Sequence, residues 1–424
     1  MSEDFMHYLW QFKLYSPGLY KTTEGDALEI IHPGLLNSDS GPDFFNAKIR
    51  IDSTLWAGNV ELHLKSSDWY QHSHHTDHSY DNVVLHVVFE NDKTAQTSSA
   101  SHIPTWIMLV DESMLHRYRK LYQSKLWIPC AQDIHRISPF KLANWLERMM
   151  VEKLESKIEW IHQLLKESKN NWDELFYISL CRSFGFGVNG DAFEHLAKSI
   201  PWDIVQKNRD DLLKLEALFL GQAGFLSLDS ELDNYTSILV REYKHLVAKY
   251  RLKTMDQHLW KFMRLRPSNF PSVRLTQLAA LFHKENLSLS KVIKAASTKK
   301  LMDMLKIQPS EYWQNHYRPN VASTTKSKSL GKHSKQLLII NTFVPILFAY
   351  GKASDNDSLQ HKALQWMVEL PAETNSILKN WETLQIKAKN ASESQALVHL
   401  KQNYCNLRKC LHCRIGHLVL TKDE

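Results

Sequence analysis

Hydrophobic alternation with period two runs through the first 130 residues and has no counterpart of comparable quality in the rest of the 424-residue chain. That break constrains the fold most, because side chains alternate across a strand but recur every three to four residues along a helix face. Phe45, Ala47, Ile49 and Ile51 alternate with Asn46, Lys48, Arg50 and Asp52; Val60, Leu62 and Leu64 alternate with Asn59, Glu61, His63 and Lys65. Ala27–His32 reads as a further strand and residues 103–110 as another, while Val83–Glu90 is so uniformly apolar that it reads as a central strand. A helix near residues 5–15 precedes these strands and one near 113–125 follows them. One-faced strands beside a buried strand predict a mixed sheet with helices on it.

Beyond residue 130 the period changes. Ser138-Pro139 is a helix start, a cap residue followed by proline at the first helical position. Leu142, Leu146, Met149, Leu154, Ile158, Ile161 and Leu165 then recur at helical spacing, and similar patterns cover 211–226, 235–253, 273–283 and 361–368. The expectation is an α+β chain: an α/β module at 1–130, then an all-helical region at 131–424. The polar, basic stretch 322–335 reads as a loop or mobile linker between helices. Residues 337–350 are the most apolar run, but 14 residues fall short of the roughly 20 a membrane span needs. They predict a core helix and no membrane partner. The N-terminus has neither a basic nor an apolar signal-peptide region, and five cysteines make no disulfide framework. The expected compartment is the cytoplasm.

The chemistry concentrates in the front module. Gly41-Pro42-Asp43-Phe44 opens one strand, and Glu61 follows eighteen residues later inside GNVELHLKSSDW. Strand geometry puts Glu61, His63 and Lys65 on one face, with Val60, Leu62 and Leu64 on the other. Paired carboxylates suit Mg²⁺ or Mn²⁺, hard cations that prefer oxygen, and a nearby Lys65 or His63 could orient a water. Asp43, Glu61, His63 and Lys65 are therefore the candidate catalytic residues, with Asp43 and Glu61 as metal ligands. Just downstream, His72, His74, His75, Asp77 and His78 crowd into seven residues, with Asp68 shortly before them. Imidazole is a common metal ligand, so Asp68, His72, His74, His75 and Asp77 are expected as auxiliary or substrate-contacting groups. The Asp43–Glu61–His63 spacing resembles the signature of the PD-(D/E)XK nuclease superfamily, in which Pro-Asp starts one strand and acid-x-Lys lies on the next. That resemblance implies Mg²⁺-dependent cleavage of nucleic acid. His63 stands where the family has lysine.

Near the C-terminus Cys405, Cys410 and Cys413 form C-x4-C-x2-C. Thiolates at such spacing suit Zn²⁺ or an iron–sulfur cluster, each of which usually takes four ligands. His412, His417 and the distant Cys130 are the candidates for the fourth. Some PD-(D/E)XK nucleases bind a cluster with three late cysteines and one remote one, which singles out Cys130 by analogy.

The overall charge of +6 conceals a split: residues 1–130 hold 10 Lys+Arg against 16 Asp+Glu, leaving the remainder at +12. From Tyr312 to Ser354 there is no acidic residue at all. Basic stretches of this kind can track phosphates, which makes nucleic acid the expected partner. RPSNFP with Arg274 behind it, and GQAG at 221–224, read as turn or packing signatures. Across the chain GPDFFNAKI, GNVELHLKSSDW, EALFLGQAGFL, RPSNFPSVRLTQLA, NTFVPILFAYG and CLHCRIG resemble the domain-of-unknown-function family 2851. Three functions follow as expectations: a Mg²⁺-dependent nuclease or phosphodiesterase, a non-catalytic nucleic-acid-binding scaffold with a degenerate nuclease-like fold, or a metal-dependent hydrolase using His72–His78.

Overall fold

The computed structural model of the chain describes residues 2–226, 231–285 and 287–421. They fall into two compact units, Met1–Trp145 with Leu400–Glu424, and Leu146–His399. The expected boundary at 130 thus lies at 145, and the C-terminal cysteine segment belongs with the front module rather than with the helical region. The reason is docking of the tail. Arg408 donates to the carbonyls of Tyr122 and Ser124, both at 2.6 Å, and Arg117 Nε donates to Leu420 O at 2.7 Å.

The first unit opens with α1 (Glu3–Gln11). Ser2 caps it, its hydroxyl accepting from Phe5 N, and Phe5, Met6, Tyr8, Leu9 and Trp10 are buried. The sheet follows as β1 (Tyr20–Lys21), β2 (Ala27–His32), β3 (Leu35–Leu36), β4 (Phe44–Ile51), β5 (Thr54–Lys65), β6 (Val83–Glu90) and β7 (Thr105–Ile107). Its order is β1-β2-β4-β5-β6-β7, with β3 on β4. The strands run antiparallel up to β5, whereas β6 lies parallel to β5 and β7 parallel to β6. The crossover from β5 to β6 holds only the short helix α2 (Asp68–Gln71) and two 3₁₀ turns, and α3 (Glu112–Gln123) follows β7.

β4 keeps the expected alternation: Ala47, Ile49 and Ile51 are buried while Asn46, Lys48 and Arg50 are exposed. The end of β5 does not. Val60, Glu61, Leu62 and His63 are all buried, so the polar face is covered as well as the apolar one. Next to it the β4–β5 register slips between Phe44 and Ala47, and Asn46 adopts φ +57°. Such irregularities re-aim side chains beside functional sites, and this one lies three residues past Asp43.

Gly58 permits the β5–β6 approach. A Cβ there would come within 2.4 Å of Val84 Cγ1 and 2.7 Å of Asn82 O. Gly58→Ala is expected to cost about 1–3 kcal/mol, read as a lower urea midpoint with an unchanged slope.

The second unit is mainly helical, beginning in the 29-residue helix Pro139–Glu167 in which the boundary falls. It is not all-helical: His316–Arg318 and Val321–Ala322 pair as a small antiparallel hairpin, too short for the period-two pattern to register. The basic stretch 322–335 is pinned rather than loose. Lys328 is buried and donates to the carbonyls of Gln314 and Lys326, and Gln277 Nε2 donates to Lys328 O at 2.7 Å. The apolar run belongs to a helix longer than the 14-residue expectation, Lys332–Ala353, interrupted by a π-turn at Ile339–Phe343. By length and composition it could cross a membrane, but 67% of its most apolar window is buried within the protein.

Candidate metal centres

Two groups of side chains of metal-ligating type stand in the first unit, one of carboxylates and imidazoles and one of cysteines. The first forms where β4 begins and β5 ends. Asp43 N donates to Glu61 Oε2 at 3.0 Å, and Leu62 N donates to Asp43 Oδ2 at 2.9 Å. The backbone thereby locks the two carboxylates together across neighbouring strands. Burial, and next the charge of Asp43, push the Glu61 carboxyl up to about 8. A buried acid pair in which one member resists ionisation is an arrangement that a cation would relieve.

Imidazoles close around it. Nitrogen atoms of His63, His72 and His74 all lie within 4.8 Å of one another. His74 Nε2 is 3.2 Å and His63 Nε2 3.5 Å from Glu61 Oε1. The buried His74 Nε2 nevertheless has no aligned hydrogen bond, so it remains available as a ligand. His63 Nδ1 is 2.9 Å from His86 Nε2, and His63 Nε2 is 3.1 Å from His72 Nδ1. Burial first, then the neighbouring imidazoles beginning with His86, hold His63 down to about 2; burial and then His74 hold His86 at about 3. Both rings are therefore neutral, the form that binds metals.

Helix α1 contributes two residues that the sequence reading did not single out. His7 Nε2 lies 3.1 Å from Asp43 Oδ2. Burial disfavours its charged form, but contact with Asp43 and the charges of Asp43, Glu61 and Glu3 outweigh burial and raise its pKa. Glu3, one turn earlier, is raised chiefly by burial, with His72 and His7 opposing. Their i, i+4 spacing on one helical face was the available signal. His86, in the middle of β6, is buried and serves as the partner of His63.

Other expected members lie elsewhere. Lys65 shares the face of Glu61 and His63, but its ammonium is half exposed and sits 3.2 Å from Glu90 on β6. The register pairs Lys65 with Glu90, so the displaced lysine does not join the carboxylates. Asp68 accepts from Lys65 N at 2.9 Å at the start of α2. Asp77 is exposed and caps a 3₁₀ turn through Ser79 N, and His75 packs on Tyr70 with ring centroids 4.9 Å apart. Of the auxiliary group, His72 and His74 alone reach the cluster.

The second cluster unites residues far apart in sequence. All the cysteines are free, and Cys130 and Cys413 are buried. Burial raises the Cys130 thiol well above its ordinary value, and the next causes are Cys405, Cys413 and Cys410. Cys405 is raised by burial, then by Cys413 and Cys410; Cys410 is pushed up to about 11 by burial, then by Cys413. Cys130, Cys405 and Cys410 thus each feel neighbouring thiols electrostatically, but among the described residues it is the imidazoles of His63, His72 and His74 whose donor atoms close to within 4.8 Å of one another. Cys413 precedes the helix Arg414–Thr421; burial raises its thiol above the ordinary value, opposed by the backbone N–H groups of Gly416 and Ile415 that donate to its sulfur. A Cβ on Gly416 would sit 2.0 Å from Cys410 O, so only glycine lets the Cys410 turn close against that helix. Of the other candidate ligands, His417 is engaged by Tyr8, whose hydroxyl is 2.8 Å from its Nδ1.

No curated protein and no solved structure matches the chain. One family model does, described as "Protein of unknown function (DUF2851)", and it covers residues 3–376, which include α1, the whole sheet and most of the second unit. With nearly its whole length matched, the chain belongs to that family.

Proposed function

We propose that the first unit is a metal-dependent phosphodiesterase acting on nucleic acid, with a PD-(D/E)XK-like sheet. The observation that carries this reading is the locked pair Asp43–Glu61, one acid at the head of β4 and the other on β5. The strand order supports it: antiparallel strands up to β5, a crossover, then the parallel strands β6 and β7. The basic remainder of the chain, at +12, offers a polyanion a complementary surface. Five free cysteines suit a reducing compartment such as the cytoplasm.

Asp43 and Glu61 would hold a divalent cation such as Mg²⁺ or Mn²⁺. When bound, it would lower the pKa of a water and polarise a phosphate. His7, whose charged form is favoured by contact with Asp43, would supply the positive group that lysine supplies in PD-(D/E)XK nucleases and steady developing negative charge. The chain of ring nitrogens from His86 through His63 to exposed His72 offers a path for a proton leaving the site. The test is incubation of the purified protein with single- and double-stranded DNA and RNA under Mg²⁺, Mn²⁺ or Zn²⁺. Metal-dependent phosphodiester cleavage is expected. Retained nucleic-acid affinity with no cleavage under any metal would favour the scaffold reading instead.

The grouping of His63, His72 and His74, with His63 and His74 against Glu61 Oε1, favours a second reading, a hydrolase built on a transition metal, since imidazoles with a carboxylate suit Zn²⁺ better than Mg²⁺. His74→Ala separates the two: it abolishes activity at a Zn²⁺ centre but leaves Mg²⁺-supported cleavage largely intact.

Metal affinity should depend on pH with a defined sign. Burial and the charge of Asp43 push the Glu61 carboxyl up to about 8, so below that pH a cation must displace its proton. Affinity is expected to rise roughly tenfold per pH unit up to about 8 and level off above it. Calorimetric titration between pH 6 and 9 reads this directly; a flat profile would separate Glu61 from metal binding.

The four cysteines would have to draw together around an ion to make a tetrathiolate centre, Zn²⁺ or an iron–sulfur cluster, with Cys130 as the fourth ligand. Such a centre would join the chain just before the second unit departs to the chain just after it returns. Its role in this reading is structural.

A further inference from the structure

The second unit contains a buried arginine with no counter-charge among the described residues. The helix Pro271–Lys284 is buried on every side from Pro271 to Phe282, and Arg274 is buried with them at 7% exposure. Its guanidinium donates to Gln277 Oε1 at 2.8 Å, Asn269 Oδ1 at 2.7 Å and Ser334 Oγ at 3.4 Å. Each acceptor is neutral. Its Nε, also buried, has no partner among the described residues. Burial lowers the pKa of the group to about 10, and no neighbouring charge offsets that. Arginine is rarely buried unless paired, and here the acid-free stretch from Tyr312 to Ser354, which supplies Ser334, brings no carboxylate.

The guanidinium also lines a cavity of about 300 Å³, together with Phe186, Val188, Asn269, His333 and Ser334. It lies over the Phe186 ring, 4.2 Å from the centroid. Phe186 itself has φ +44°, a strained conformation for a bulky residue. Strain of this kind persists where the surroundings over-determine it, most often at ligand sites. An anion would meet two features here: the guanidinium N–H groups of Arg274 and the hydroxyl of Ser334. An aromatic wall stands beside them.

We propose that this cavity binds a small ligand carrying an oxyanion on an apolar or aromatic body, with Arg274 as its anchor. Carboxylate and phosphate share the chemistry, because both match the guanidinium fork in bidentate geometry. The cavity lies at the small end of ligand sites, so the ligand is the size of a substituted ring rather than a nucleotide. The inference stands apart from the metal centres and holds whether or not the first unit is a nuclease.

Three probes test it on the full-length protein: inorganic phosphate, phenyl phosphate and benzoate, each titrated while thermal unfolding is followed. At least one should raise the melting temperature saturably, as a ligand specific to the folded state must. Phenyl phosphate ahead of benzoate would identify the phosphate class, and the reverse order the carboxylate class. Arg274→Gln should weaken binding by at least tenfold. Should that variant fold poorly, Val188→Trp, at a half-exposed position on the cavity wall, fills the space without touching the guanidinium and should also abolish the shift. The proposal is overturned if no probe shifts the wild type, or if either folded variant binds as the wild type does.

Discussion

Asp43→Asn and Glu61→Gln are each expected to lower metal-dependent cleavage by at least ~100-fold, the upper range for loss of outer-shell partners and therefore a floor for a ligand. Both substitutions are nearly isosteric and leave the lock intact. In the first variant the side-chain amide oxygen at position 43 still accepts from Leu62 N, and in the second the amide oxygen at position 61 still accepts from the backbone N–H of Asp43. The fold should survive while the charge that attracts a cation disappears. The two variants differ in a second readout. With position 43 neutral, Glu61 loses the charge that holds its pKa up after burial, so the residual metal affinity of Asp43→Asn should change less steeply with pH. Equal cleavage by wild type and both variants would remove these carboxylates from the chemistry and with them the nuclease reading. Lys65→Ala is the matching control. Its ammonium is paired with Glu90, so it should cleave at the wild-type rate.

Cys130→Ser is expected to strip the second centre. The wild type, purified without chelator and without air, should carry Zn or Fe in simple ratio to the chain, and the variant should carry none. Visible absorbance separates the alternatives, because an iron–sulfur cluster is coloured and Zn²⁺ is not. Loss of a structural metal belongs among the large destabilisations, about 4 kcal/mol or more, which for a unit of this size is a fall of roughly 8–16 °C in melting temperature. Cys181→Ser removes a buried thiol in the second unit and should leave the metal content unchanged. Wild-type protein with neither metal after anaerobic reconstitution, or a Cys130→Ser variant as well loaded as the wild type, would refute the centre. Gly416→Ala gives an independent check, since its Cβ would lie 2.0 Å from Cys410 O and the Cys410 turn would have to move.

Much of the first unit was readable from periodicity. Ala27–His32 and Val83–Glu90 match the structure at both ends, and the helix that follows Ser138 begins at Pro139. The carboxylate pair was readable too, because Pro42-Asp43 opens a strand and the acid at 61 lies on the next. Alternation could not show that the polar face of β5 is covered. A period-two pattern states which residues share a face, not what lies over it. The covering comes from α1 and from the irregular crossover after α2, whose path has no period to detect. That is why Glu3 and His7 went unmarked, why Lys65 was placed with the acids, and why His72 and His74 could not be told apart from His75 and Asp77.

Local sequence determined what depends on neighbouring residues: strand and helix type, the C-x4-C-x2-C turn, and the presence of two carboxylates at adjacent strand ends. Tertiary structure decided what depends on long-range closure. It alone brings Cys130 to a segment some 275 residues later. It also leaves Arg274 buried without an anion and turns Glu61 from a surface acid into one held near pH 8. In each case the physical reason is the same: burial and the approach of distant charges set the behaviour of an ionisable group, and neither is a property of its own stretch of chain.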